Sequence, residues 1–209
     1  MEEKKNKRLA RMKSFILVLC SQKFCSKNLF SLSSFVFIPL ILVLFSFINN
    51  PSTRYNLDFF TAHNQFYLSD SGYLSNTGDD EFWSPKAYAA RLAVADDVLG
   101  ISIASYGHVK AQLNVLDAPD KEKDFSRYDH VVEAGVKISS GLLLVYNYPD
   151  SKVALKAIVT PGTYRVRVYS YGLTNVNPDE DEGVDHYKIN LWKDNNTQRK
   201  VLKQFEKEE

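Results

Sequence analysis

Residues 29–48 read Leu-Phe-Ser-Leu-Ser-Ser-Phe-Val-Phe-Ile-Pro-Leu-Ile-Leu-Val-Leu-Phe-Ser-Phe-Ile, without one charged side chain, directly after a segment crowded with Lys and Arg. At ~1.5 Å per helical residue such a run reaches about 30 Å, the thickness of a bilayer's hydrocarbon core. The run therefore reads as one membrane-spanning helix, and a soluble core has to come from the residues after it. The sequence divides into a basic N-terminal segment (1–28), the span (29–50), a globular domain (51–193) and a charged tail (194–209).

Charge follows the same division. Residues 1–50 carry eight basic side chains against Glu2 and Glu3, a net of +6, and the rest of the chain carries 18 basic and 23 acidic residues, a net of −5. Positive charge before the apolar run keeps the N-terminus in the cytoplasm and sends the domain across. Fifteen of the twenty residues in the run are Leu, Ile, Val or Phe, which favours insertion despite Pro39 and four serines. A cleavable signal fits less well, because the run is too long and Ser-Phe-Ile-Asn-Asn offers no small-residue cleavage site. Leu17-Val18-Leu19-Cys20 resembles a lipoprotein signal only faintly, with Leu19 where a small residue belongs. In the remaining alternative, residues 1–50 are an extension that the working protein lacks, and the domain is then cytoplasmic. The chain's two cysteines, Cys20 and Cys25, both precede the run, so no disulfide can staple the domain.

From Asn56 onward, short stretches of period-two alternation separated by turn residues point to half-buried strands. Strands are expected at Asn64–Leu68, Val98–Ala104, Val109–Leu116, His130–Ile138, Leu142–Tyr146, Val153–Val159, Thr163–Tyr171 and His186–Trp192. In the seventh, Arg165 and Arg167 share one face, while Tyr164, Val166 and Val168 share the other. It should pair with the last strand, Tyr187 to Trp192. Ser84 and Pro85 make an N-cap and first-turn pair for one helix, Lys86 to Ala95. The tail from Asn195 to Glu209 reads as a loose or weakly amphipathic helix. Short strands with one early helix predict an all-β fold: an antiparallel β-sandwich with one short inserted helix, preceded by a single transmembrane helix.

The most charged feature of the domain is the connection between the two clearest strands, Asn177-Pro178-Asp179-Glu180-Asp181-Glu182-Gly183-Val184-Asp185. Five carboxylates there suit three readings: a solvated loop that discourages aggregation, a negative surface for a basic protein partner, or a Ca2+ site without the EF-hand register. Asp179, Glu180, Asp181, Glu182 and Asp185 are the candidate partner-binding residues. An acidic domain is a poor fit to direct nucleic-acid binding. The sequence holds no G-x-S-x-G, H-E-x-x-H, P-loop or G-x-G-x-x-G, so no catalytic residue, metal ligand or cofactor is expected. An enzymatic reading would need a pocket where His63 meets carboxylates. Tyr164, Tyr169, Tyr171 and Tyr187 would favour an interface if exposed.

The order His63-Asn64-Gln65-Phe66, Trp83 with an Ala-rich helix, Gly100-Ile101-Ser102-Ile103, Pro161-Gly162-Thr163-Tyr164 and Asp185-His186-Tyr187 resembles the competence protein J family, named for a DNA-entry nuclease inhibitor. The likeness covers residues 57–193. It implies a β fold, no cofactor, and an activity of binding and inhibiting a nuclease; no inhibitory motif is carried over residue by residue. The membrane segment departs from the family, since a soluble inhibitor needs no tether. The leading expectation is a non-enzymatic protein-binding module, an inhibitor or neutraliser of a nuclease or toxin, with a Ca2+-dependent membrane or carbohydrate module as the alternative.

Overall fold

The computed structural model describes residues 53–177, 180 and 183–206. The expected span at 29–48, the Cys20 and Cys25 pair, and Asp179, Asp181 and Glu182 lie outside the described residues. Among the described residues no helix is long and apolar enough to cross a membrane.

Among the described residues eleven strands form two sheets. They are β1 (Thr53–Phe60), β2 (Gln65–Asp70), β3 (Leu92–Val94), β4 (Val98–Ser102), β5 (His108–Val115), β6 (His130–Ile138), β7 (Leu142–Asn147), β8 (Val153–Ile158), β9 (Gly162–Tyr171), β10 (His186–Lys193) and β11 (Lys200–Lys203), with one helix, α1 (Pro85–Ala89). The larger sheet has the order β1-β5-β10-β9-β6-β11 and the smaller β3-β4-β2-β7-β8. Strict alternation decides which side chains meet between them. Val166 and Val168 of β9, Val132, Ala134 and Val136 of β6, and Ile189 and Leu191 of β10 face Phe66, Leu68, Leu99, Ile101, Leu143 and Val145 of the smaller sheet in one buried cluster. Fully burying each such side chain stabilises the fold by about 1.5–3 kcal/mol, which is why a one-residue slip of register is prohibitive.

The expected pairing of β9 with β10 is present, antiparallel from His186 opposite Tyr171 to Lys193 opposite Tyr164. Four local expectations are corrected. The sheets are not wholly antiparallel, because β10 lies parallel to β5. The helix stops at Ala89 instead of Ala95: Arg91 turns to φ 53°, and Leu92–Val94 becomes a strand against β4. Leu92 and Ala93 are both fully buried on opposite sides of that strand, which a helix could not achieve. The described part of the tail, to residue 206, holds a strand instead of a helix, since Lys200–Lys203 pairs with the otherwise open edge of β6. Gly135 admits the approaching chain; a Cβ there would stand 2.5 Å from the Thr197 Cα. Finally, β1 was not among the expected strands, although Tyr55, Leu57 and Phe59 alternate with Asn56 and Asp58.

The outer face of the larger sheet is itself buried and polar. Glu133 accepts from Arg165 at 2.9 Å and from Arg167 at 2.8 Å. Asp120 accepts from the Tyr169 hydroxyl at 2.6 Å and also from Asn190, whose carbonyl oxygen takes a bond from Asn114 at 2.8 Å. Burial alone would raise the Asp120 pKa, but the bonds from Tyr169, Glu122 N–H and Asn190, with Arg167 nearby, hold it below the ordinary carboxylate range. Burial, and then the hydrogen bond to Asp120, push the Tyr169 hydroxyl well up against the opposing pull of Arg167. The arginines of β9 are thus committed to local acids. Of the Tyr-rich group, Tyr164, Tyr169 and Tyr187 are buried and Tyr171 is half-buried, so none of the four stands exposed.

Candidate functional site

Strand polarity collects four connections at one end of the sandwich: residues 61–64, 103–107, 148–152 and the acidic connection 172–185. The first three are tied into one unit by hydrogen bonds. Thr61 N–H donates to Gly107 O at 2.7 Å, Asn64 N–H to Tyr106 O at 3.1 Å, and Ile103 N–H to Asn64 O at 2.8 Å. The Asn64 side chain donates to Ala104 O and Ser105 O at 3.2 and 2.8 Å. Thr61 Oγ1 accepts from Tyr148 N–H at 2.9 Å, and Asn147 donates to Phe60 O at 3.2 Å. Loops held this way lose little further freedom when a partner docks.

Backbone strain marks the tip. His63 and Asn64 both sit at φ 56°, the two central residues of a tight turn closed by an Ala62–Gln65 bridge. Left-handed backbone at two consecutive non-glycine residues is what such a hairpin turn demands, and the Asn64 bonds compensate its cost. His63 is thereby displayed at the surface between the rings of Tyr106 and Tyr148, at 6.0 and 5.6 Å. Tyr106 and Tyr148 are 38% and 37% exposed. Phe60, 57% exposed, stacks on His108 at 4.6 Å, and His108 Nε2 contacts Asp58 at 2.7 Å. None of Phe60, Tyr106 and Tyr148 stands out in the sequence. Their position beside turn residues, Tyr106-Gly107 and Tyr148-Pro149-Asp150, is the only signal there.

The acidic connection joins this surface. Glu180 is exposed, its backbone oxygen accepts from Tyr106 N–H at 3.2 Å, and its side chain accepts from Asn177 at 3.0 Å. Asp185 differs from its neighbours in sequence. It is 1% exposed, and its Oδ2 accepts from Ala104 N–H at 3.0 Å, Ser105 N–H at 3.2 Å and the Tyr187 hydroxyl at 2.6 Å. Tyr187 in turn accepts from Ala104 N–H at 2.8 Å, and burial, with Asp185 beside it, raises its pKa well above the ordinary value. Asp185 is therefore a buried brace that clasps the 103–107 loop. Of the five candidate acids, Glu180 is placed at the surface and Asp185 inside.

A cavity of about 280 Å3 lies at the opposite end, lined by Tyr55, Asp117, Ile158, Tyr164 and Lys193 among others, with no histidine. Among the described residues no group of three or more His, Cys, Asp or Glu is arranged to hold a metal ion.

No family model matches the sequence, and no curated protein matches it. Two solved structures do. One is the protein of crocagin biosynthetic gene J, with 14% identity over 67% of this chain and 97% of that one, and a TM-score of 0.41. The other is ComJ from Bacillus subtilis, an inhibitor of the DNA-degrading activity of NucA, with 13% identity over 69% of this chain and 99% of that one, and a TM-score of 0.53. In its fold, the domain of this chain resembles ComJ over nearly the whole of that protein.

Proposed function

We propose that the domain is a protein-binding module that neutralises a nuclease, using the end formed by Phe60, His63, Tyr106, Tyr148 and the acidic connection. The observation that carries this reading is the combination at one end of pre-tied loops, exposed rings and clustered negative charge. Aromatic side chains give an interface its buried centre, and a rim of carboxylates suits a partner that is basic where it holds phosphate. The fold shared with ComJ and the domain's net charge of −5 support the same partner class.

The test is a DNA-degradation assay on a nuclease captured from the source cells with the full chain. Inhibition should rise with added chain. Replacing Asp179, Glu180, Asp181 and Glu182 with their amides should weaken it about 30-fold, from about 0.5 kcal/mol for each screened rim contact. Unchanged inhibition by that variant removes the connection from the interface, and a captured partner without nuclease activity removes the function. We further propose that residues 29–48 cross the membrane, with the N-terminus cytoplasmic and the domain exported. Cell fractionation with N-terminal sequencing of the native product tests this, and a mature protein beginning after residue 50 overturns it.

A further inference from the structure

Strand β1 ends in the loop end at Phe60, so its first residue, Thr53, enters the domain at the opposite end, paired with Val115 at the close of β5. The smaller sheet contributes to the same end. Ser71, just after β2, donates its N–H to Leu142 O at 3.0 Å, and Leu142 lies opposite Ile158. This end carries the two most exposed large apolar side chains of the described residues, Leu74 at 94% and Ile158 at 89%. Leu74 is held outward on a short connection whose N–H donates to Asp97 at 2.7 Å.

Residues 49–52 are all that separate Ile48, the last residue of the uncharged run, from Thr53. Fully extended, the five steps from Ile48 to Thr53 reach at most about 18 Å. A headgroup layer occupies about 5–8 Å of that on each side of the hydrocarbon core. With residues 29–48 across the bilayer, as proposed above, chain length alone would keep Thr53 within about 13 Å of the headgroup surface. The acidic connection lies one strand length away, about 33 Å along the ten residues of β9. That separation exceeds the ~10 Å over which anionic lipid would repel it.

We propose that the end bearing Thr53, Leu74 and Ile158 rests on the lipid surface, with Leu74 and Ile158 entering the headgroup layer and the partner-binding end facing away. This inference rests on residues 29–48 crossing the bilayer. Its test uses the full chain in phosphatidylcholine vesicles, with Cys20 and Cys25 replaced by serine and one environment-sensitive fluorophore at a new cysteine. The labelled variants are Phe37→Cys, Leu74→Cys, Ile158→Cys and, at the loop end, Asp150→Cys. Leu74, Ile158 and Asp150 are exposed, so their labels do not disturb packing. Lipids carrying a headgroup nitroxide should quench positions 74 and 158 at least twofold more than position 150, with position 37 quenched by a deep acyl-chain nitroxide. Quenching at 37 without excess quenching at 74 and 158 overturns the orientation alone. No quenching at 37 removes the span, and the orientation falls with it.

Discussion

Asp185→Ala separates the bracing carboxylate from the acids around it. In the folded domain, Asp185 Oδ2 receives Ala104 N–H, Ser105 N–H and the Tyr187 hydroxyl, all in the interior. Removing the carboxylate leaves Ala104 N–H with the Tyr187 oxygen as its acceptor, while Ser105 N–H and the Tyr187 O–H lose theirs. Two buried donors without acceptors cost about 1–3 kcal/mol each, so the variant should lose about 2–6 kcal/mol. At about 2–4 °C per kcal/mol for a domain of this size, a mid-range loss lowers Tm by about 10 °C.

A second substitution makes the reasoning harder to escape. Tyr187→Phe alone orphans nothing, because Ala104 N–H keeps Asp185, and it should cost about 1 kcal/mol. In the Asp185→Ala background it exchanges one orphan for another, the hydroxyl for Ala104 N–H, and should cost almost nothing more. Urea unfolding followed by tyrosine and tryptophan fluorescence measures all four corners of the cycle. The expected coupling is about 1 kcal/mol. Additive losses, or an Asp185→Ala variant within about 0.5 kcal/mol of the parent, would falsify the brace.

Glu133→Ala leaves the guanidiniums of Arg165 and Arg167 buried without their shared carboxylate and should lower unfolding free energy by about 3–5 kcal/mol; a loss below about 1 kcal/mol in urea melts rules out a buried ion pair. His130 accepts Phe205 N–H on Nδ1 at 3.2 Å and reaches Ala90 O through Nε2 at 2.9 Å, an arrangement for the neutral ring, and burial, helped by Arg91, lowers its pKa. Its folded pKa therefore lies below its unfolded value of ~6.5, so this contribution is full above that pH and lost as pH falls through the folded value. The urea midpoint should drop as pH falls below about 6.5, and His130→Gln should flatten that slope; equal slopes sink the assignment. Gly100→Ala places a Cβ 2.6 Å from Trp83 Cζ2 and 3.1 Å from Phe82 Cε1, so it should cost about 1–3 kcal/mol and shift tryptophan emission to the red. An unshifted spectrum would mean that Trp83 does not lie over β4.

The sheet was most legible where one chemical face had to be apolar. β9 and β10 announce themselves because their inward residues meet the core and their outward ones do not. Lys86 to Ala95 misleads because Ala, Leu and Arg favour a helix locally, while burying both Leu92 and Ala93 is worth more than the helical propensity of six residues. Lys200-Val201-Leu202-Lys203 has too few apolar residues to specify anything alone. It becomes β11 because β6 offers an open edge and Gly135 gives the preceding chain room. The exposed rings at Phe60, Tyr106 and Tyr148 could not be read at all, since an aromatic beside a turn looks the same whether it faces the core or water.

Asp185 shows the same limit within the candidate site, and the physical reason for it separates shape from contact. It stands three residues from Glu182 in one acidic run, yet only it is followed, two positions on, by a buried hydroxyl, and it lies where two loop N–H groups need an acceptor. A carboxylate meeting three donors in the interior serves the fold; a carboxylate in water, as at Glu180, adds charge that a partner can use. The two kinds of acid must then respond differently to neutralisation. Changing Glu180 and its neighbours should weaken association and its salt dependence while Tm stays within about 2 °C, whereas Asp185→Asn should lower Tm first and lose binding only as the 103–107 loop comes free. If Asp185→Asn weakens binding at unchanged Tm, then Asp185 itself meets the partner, and the loop end must open to be recognised.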